Sequence, residues 1–178
     1  MKIGFIGAGN MSGAIIKGII SSGIVKKEDV FASDKFLPTL EKVKTNYGIN
    51  ITEDNKEVVE KCDVIFLAVK PQFYSEVIKE ISPFIKETTT VVTIAPGQTL
   101  KNLEATFGKE IKIVRTMPNT PAMVCEGMTA VCANKKVTKE ELEYICTLLN
   151  SIGKAEVVAE YMMDAVVELV EVRQHMFI

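Results

Sequence analysis

The residues best placed to do chemistry lie in the first turn of the chain, Gly4-Phe-Ile-Gly7-Ala-Gly9-Asn-Met-Ser12-Gly13. Against the spacing Gly-x-Gly-x-x-Gly, Gly7 and Gly9 fit and Ser12 takes the third place. That place needs only a small residue for close helix–strand packing, so serine is tolerable. Gly7 permits a tight turn, and Gly9 lets a pyrophosphate approach the backbone. A helix starting there aims unpaired N–H groups at the anion. The competing reading is a structural glycine turn. The position between a buried-type strand and an amphipathic helix favours a dinucleotide.

A dinucleotide site makes demands further along. The second strand should end at the adenosine ribose, and it ends in Ala32-Ser33-Asp34-Lys35. An acid there accepts from a ribose 2′-hydroxyl and marks NADH, whereas Ser33 with Lys35 suits a 2′-phosphate and marks NADPH. Both signals are present, and Lys35, a point charge without a bidentate fork, does not decide between them. A solvated turn is the plain alternative. Lys70, in Ala68-Val69-Lys70-Pro71, is either a surface lysine or part of the cleft at the end of the fourth strand. Asn55 is either a helix N-cap or a cleft residue. Arg115 leads into Met117-Pro118-Asn119-Thr120-Pro121-Ala122, whose two prolines predict an irregular segment, and its stiffness and polarity suggest a site.

Other chemistries are disfavoured by what the chain holds. His175 is the single histidine, so a His-dependent triad or multi-His metal site is nearly excluded and no metal is expected. Cys62, Cys125, Cys132 and Cys146 form no Cys-x-x-Cys pair and read as small hydrophobes. Basic and acidic residues number 21 and 23, and no basic run provides an electrostatic footprint for nucleic acid. The longest apolar runs, Ile3–Gly9 and Val64–Val69, are far short of a membrane span, and the expected location is cytoplasmic. A borrowed cofactor is the natural source of reactivity.

The elements that must position these residues follow from the apolar pattern. Short buried-type runs at 2–6, 30–33, 49–51, 64–69, 90–94, 111–117 and 128–133 alternate with helical stripes at 11–22, 37–47, 55–61, 74–85 and 99–107. Thr138 to Glu141 reads as a capping box opening a helix to about Ser151, a short apolar run follows at 155–158, and another helix starts near Glu160. This predicts an α/β, Rossmann-type doubly wound fold, with a mostly parallel sheet and flanking helices. Residues 1–159 form the NAD(P)-binding domain, and 160–178 begin a helical segment.

Taken together, the segments Phe5–Met11, Asp63–Pro71, Arg115–Ala122 and Gly127–Ala130 make the chain resemble pyrroline-5-carboxylate reductase, from Ile3 to about Val167. Met-Pro-Asn-Thr-Pro-Ala is the most family-specific of them. The resemblance implies reduction of the cyclic imine pyrroline-5-carboxylate to L-proline with NADPH or NADH. It implies cofactor contacts at Ile6, Gly7, Ala8, Gly9, Asn10 and Met11, at Ser33, Asp34 and Lys35, at Asn55, and at Ala68, Val69, Lys70 and Pro71. Ala95, Pro96 and Gly97, with Met117, Pro118, Asn119, Thr120 and Pro121, would face the nicotinamide and the substrate. Family members commonly carry Ala-Gly where Pro96-Gly97 stands here. A protonated imine is already electrophilic, so the protein need mainly hold the hydride donor over its carbon and bind the carboxylate. No catalytic acid or base is therefore assigned.

Enzymes of this family continue into a helical dimerisation domain that makes them homo-oligomers and completes the substrate pocket. Its opening motif, Gly-Ser-Gly-Pro-Ala-Tyr or a close relative, should follow Asp164–Val166, but the chain reads Glu168-Leu-Val-Glu-Val-Arg-Gln-His-Met-Phe-Ile178. One permitted codon series for this tail, shifted by one base, encodes Gly-Val-Ser-Gly-Ser-Ser-Pro-Ala-Tyr-Val-Tyr. Residues 168–178 are thus expected to be out of frame, His175 with them, and the chain to bind NAD(P)H with impaired reductase activity. Two alternatives stand beside this reading. One is another small Rossmann reductase, of the β-hydroxyacid dehydrogenase or deazaflavin-dependent type, and the other is a non-catalytic dinucleotide-binding module.

Overall fold

A computed structural model describes residues 1–163 and Ala165. Eight strands form one sheet in the order β3-β2-β1-β4-β5-β6-β7-β8. They are β1 (Ile3–Ile6), β2 (Val30–Ser33), β3 (Asn50–Thr52), β4 (Val64–Leu67), β5 (Thr90–Thr93), β6 (Lys112–Pro118), β7 (Gly127–Ala133) and β8 (Gly153–Val157). β1 to β6 run parallel, β7 pairs antiparallel to β6, and β8 parallel to β7. The mostly parallel, doubly wound sheet expected from the pattern is what forms.

Its centre is apolar on both sides because helices cover both faces. All of β1 and β4 is buried. On one face lie α1 (Asn10–Ser21), α2 (Leu37–Tyr47) and α6 (Lys139–Leu149), packed over Phe5 and Phe66, whose rings stack at 4.8 Å. On the other lie α3 (Asn55–Lys61), α4 (Tyr74–Ile81) and α5 (Leu100–Phe107). Gly4 keeps β1 close to this second layer, because a Cβ there would meet Val58 at 2.5 Å and Ile65 at 2.9 Å.

The helix boundaries follow local chemistry. Gly48 and Gly108 close α2 and α5 in the left-handed conformation. Thr138 and Glu141 form the expected capping box of α6. α4 stops at Ile81, short of the expected reach, because Ser82–Phe84 tightens into a 3₁₀ turn around Pro83.

The irregular segment expected at 117–122 is a correction. β6 continues through Met117 and Pro118, which pair with Ala130 and Thr129, and Thr120–Val124 forms a 3₁₀ helix. A proline is tolerated as the last residue of a strand, and Pro121 sits in the first turn of its helix, where no N–H is needed. Asn119 joins the two pieces by accepting from the Met128 N–H at 2.9 Å.

Beyond β8, residues 160–163 are helical, and Met163 packs into the second layer. Met163 is fully buried there. Glu160 accepts from the Leu100 N–H at 2.7 Å and from the buried Arg115 guanidinium at 3.3 Å. Arg115 therefore works inside the sheet, anchoring the chain that leaves β8. The reading-frame expectation for 168–178 lies outside the described residues. Among the described residues no helix is long and apolar enough to cross a membrane, and no group of three or more His, Cys, Asp or Glu could hold a metal.

Candidate dinucleotide site

The chain winds outward from β1 through β2 to β3, then returns to β4 on the other side of β1. Open α/β sheets leave a crevice at such a reversal, outside the carboxyl ends of the strands. A cavity of about 350 Å³ lies there, lined by Gly7, Gly9, Asp34, Lys35, Asn55, Ala68, Val69, Lys70, Phe73, Glu76 and Val77.

Backbone hydrogen bonds hold the crevice in shape. The Gly7 N–H donates to the Ser33 carbonyl and the Ala68 N–H to the Ile6 carbonyl, each at 2.8 Å, so three strand ends are tied together. Ala8 donates to Asp34 Oδ2 at 2.8 Å, and Phe36 donates to Asp34 Oδ1 at 2.9 Å. The Asp34 carboxylate thus ties the glycine turn to the end of β2. Ser12 is buried and its hydroxyl donates to the Gly7 carbonyl at 2.7 Å, so serine in the third place also clamps the turn.

The two glycines of the turn have different jobs. Gly7 has φ +97°, and a Cβ there would lie 2.7 Å from the Ala68 carbonyl oxygen, so the fold itself needs glycine. Gly9 has φ −70°, and a Cβ would meet nothing within 4 Å. No steric or dihedral demand of the fold accounts for Gly9, whereas a ligand laid against the backbone would. Gly9 is also the N-cap of α1, with no side-chain cap and no acid in the first turn. The N-terminal donors of α1 and the positive end of its dipole are therefore left to an anion, and the residues fit a dinucleotide pyrophosphate.

Of the remaining expected contacts, Ile6 and Ala8 are buried supports of the turn, Asn10 and Met11 form the first turn of α1, and Pro71 opens the short helix that carries Phe73. Ser33 departs from expectation. It is fully buried and its hydroxyl donates to Asn55 Oδ1 at 2.7 Å, so it positions Asn55 and offers nothing to a phosphate. Nor is Asn55 a cap. Asp54 caps α3 by accepting from Lys56, while Asn55 faces the crevice and donates to Glu80 at 3.1 Å. Lys35 pairs with Glu76 at 3.0 Å; this contact holds the Lys35 ammonium above its ordinary range.

Ala95, Pro96 and Gly97 follow β5, while Met117 and Pro118 end β6 and Asn119, Thr120 and Pro121 follow it. All lie along the same sheet edge, beside the cavity and not in its lining. Tyr74, which sequence reasoning did not single out, stands between the ends of β4 and β5. Its hydroxyl donates to the Leu67 carbonyl at 2.7 Å, and it faces the backbone N–H groups of Ala95 and Ile94. Burial pushes its phenol well above the usual range, so it is a neutral tie between β4 and β5. Phe73, Glu76 and Val77 were also missed as lining. The available signal was their place directly after Lys70-Pro71, at the start of a helix on the cleft side.

The family model described as "NADP oxidoreductase coenzyme F420-dependent" matches residues 2–97, the segment that builds this crevice. A pyrroline-5-carboxylate reductase of Escherichia coli (strain K12) is 42% identical over 169 residues, covering 93% of this chain and 62% of that protein. A solved pyrroline-5-carboxylate reductase structure from Coxiella burnetii superposes with a TM-score of 0.91 at 32% identity, covering 95% of this chain and 63% of that one. A second, Plasmodium falciparum pyrroline carboxylate reductase with NADP bound, gives a TM-score of 0.85 at 33% identity, with 96% and 62% covered. The chain therefore spans about six tenths of these relatives, 62–63% of each. With more than half of its length matched by that model and its crevice built from the matched residues, the chain belongs to the family of NADP oxidoreductases described as coenzyme F420-dependent.

Proposed function

We propose that this chain is the dinucleotide-binding part of a pyrroline-5-carboxylate reductase and that its cofactor is NADPH, with NADH as the poorer substitute. The observation that carries the reading is Gly9, which caps a helix with no side-chain cap and leaves open space at the topological switch point. The names of the relatives, and the NADP of the Plasmodium falciparum structure, supply the substrate and the cofactor.

When bound, the cofactor supplies a hydride. The protein's own part is orientation. The α1 N-terminus and Gly9 would hold the pyrophosphate, residues of the crevice from Asp34 to Val77 would take the adenosine half, and Ala95–Gly97 and Met117–Pro121 would face the nicotinamide half. Because the protonated imine carbon is electrophilic without help, alignment within van der Waals reach does most of the work. Substrate carboxylate binding, homo-oligomer formation and a cytoplasmic location belong to the same proposal.

The test is titration of the 178-residue chain with NADPH and with NADH, followed by addition of pyrroline-5-carboxylate. NADPH binding with reductase turnover far below that of a full-length relative is expected. Failure to bind either nucleotide overturns the reading, and turnover equal to that of a full-length relative overturns the expected impairment.

A further inference from the structure

Two side chains at the end of β2, Ser33 and Asp34, have their partners fixed by the fold. Both Asp34 oxygens accept backbone N–H groups. Ser33 is buried against Asn55, and Asn55 in turn donates to Glu80. Lys35 is different. Its partner, Glu76, comes from α4 on the far side of the crevice, and both residues line the cavity. Their side chains are 73% and 65% exposed, so the pair sits on the open rim, within reach of solvent. The charge of Glu80 also reaches Lys35.

We propose that Glu76 is a specificity-determining residue that narrows the preference for NADPH over NADH by holding Lys35 across the mouth of the crevice. The inference rests on the dinucleotide reading above and deepens it. In this topology the adenosine ribose lies at the end of β2. A 2′-phosphate there is a dianion that must take Lys35 from Glu76 and then sit near a carboxylate. A 2′-hydroxyl needs no cation and donates to a carboxylate readily. Glu76 therefore opposes the phosphate and tolerates the hydroxyl, in the position where Lys35 alone would favour the phosphate.

The experiment measures dissociation constants of the 178-residue chain for NADPH, NADH and the fragments 2′,5′-ADP and 5′-AMP, at low and at physiological ionic strength. In Glu76→Gln, NADPH and 2′,5′-ADP should tighten by roughly three- to tenfold at low salt, with a smaller gain at physiological salt. NADH and 5′-AMP should stay within about twofold, because their ribose carries no charge. Lys35→Met should lose most of the phosphate preference, and Glu76→Gln added to it should recover less than it gives alone. Thermal unfolding of each variant verifies that these exposed substitutions leave the fold intact. Equal tightening of NADPH and NADH, or no change in their ratio, overturns the role of Glu76 while leaving dinucleotide binding intact. A wild-type chain that binds neither nucleotide overturns both.

Discussion

Replacing each glycine of the first turn by alanine should separate what the fold needs from what the ligand needs. At Gly7 an alanine must adopt φ +97° and place its Cβ 2.7 Å from the Ala68 carbonyl oxygen. The left-handed conformation costs roughly 1–2 kcal/mol and the overlap roughly 1–3, so Gly7→Ala should lose about 2–5 kcal/mol. For a chain of this size that is a fall of several degrees, at about 2–4 °C per kcal/mol. At Gly9 the dihedral is ordinary and the Cβ meets nothing within 4 Å. Alanine is the poorer N-cap by about 0.5–1 kcal/mol, but it removes a similar amount of unfolded-state freedom, so the two nearly cancel. On the proposed function the same methyl would stand where the pyrophosphate touches the backbone, and NADPH affinity should fall at least about tenfold, or 1.4 kcal/mol. Thermal denaturation and nucleotide titration of both variants give the comparison. A Gly9→Ala protein that binds NADPH like the wild type would refute the argument, because the empty space would then not be the ligand's. A Gly7→Ala protein as stable as the wild type would refute the steric half.

Other perturbations test the surroundings. Ser12→Ala removes the hydroxyl that holds the Gly7 carbonyl and should cost about 1 kcal/mol in chemical denaturation, with weaker binding of both nucleotides. Asp34→Ala unties the glycine turn from β2 and should weaken NADPH and NADH together, and a loss confined to NADH would instead mark Asp34 as a direct ribose partner. Burial pushes the Glu141 carboxyl up, but Lys112 and Thr138 outweigh it and hold it below its ordinary 4.5. A depressed carboxyl stabilises the fold above its unfolded value and loses that contribution as pH falls through the folded one. The stability gap between wild type and Glu141→Gln, about 0.5–1.5 kcal/mol at neutral pH, should therefore close in acid, and a gap unchanged across the range would contradict the assignment. The nucleotide sequence across codons 165–178 should reveal the Ser-Ser-Pro-Ala-Tyr motif in the neighbouring frame, and one continuous frame without it would dismiss the out-of-frame reading.

The glycine spacing, the strand–helix alternation and the capping box were legible from residue order, because each depends on neighbours a few positions apart. Ser12 in place of glycine and the position of Lys70 at a strand end belong to the same class. Long-range contacts were not legible. Asn55 read equally well as a cap, and only the approach of Ser33 and Glu80, 22 and 25 positions away, makes it a crevice residue. Arg115 read as part of a polar site, yet burial within the sheet and the carboxylate of Glu160 give it a structural task. Pro118 read as a strand breaker, but as the last strand residue it keeps its pairing with Thr129.

Residue order alone thus specified the architecture, the glycine turn and the family resemblance, since local spacing and apolar period carry that information directly. The tertiary structure decided which of the candidate polar groups face the crevice. Asp34 is committed to the backbone, Ser33 turns inward, and Lys35 meets Glu76 from a helix 41 positions away. Charge balance at the mouth of a site is a sum over elements brought together by folding, and no stretch of sequence contains it.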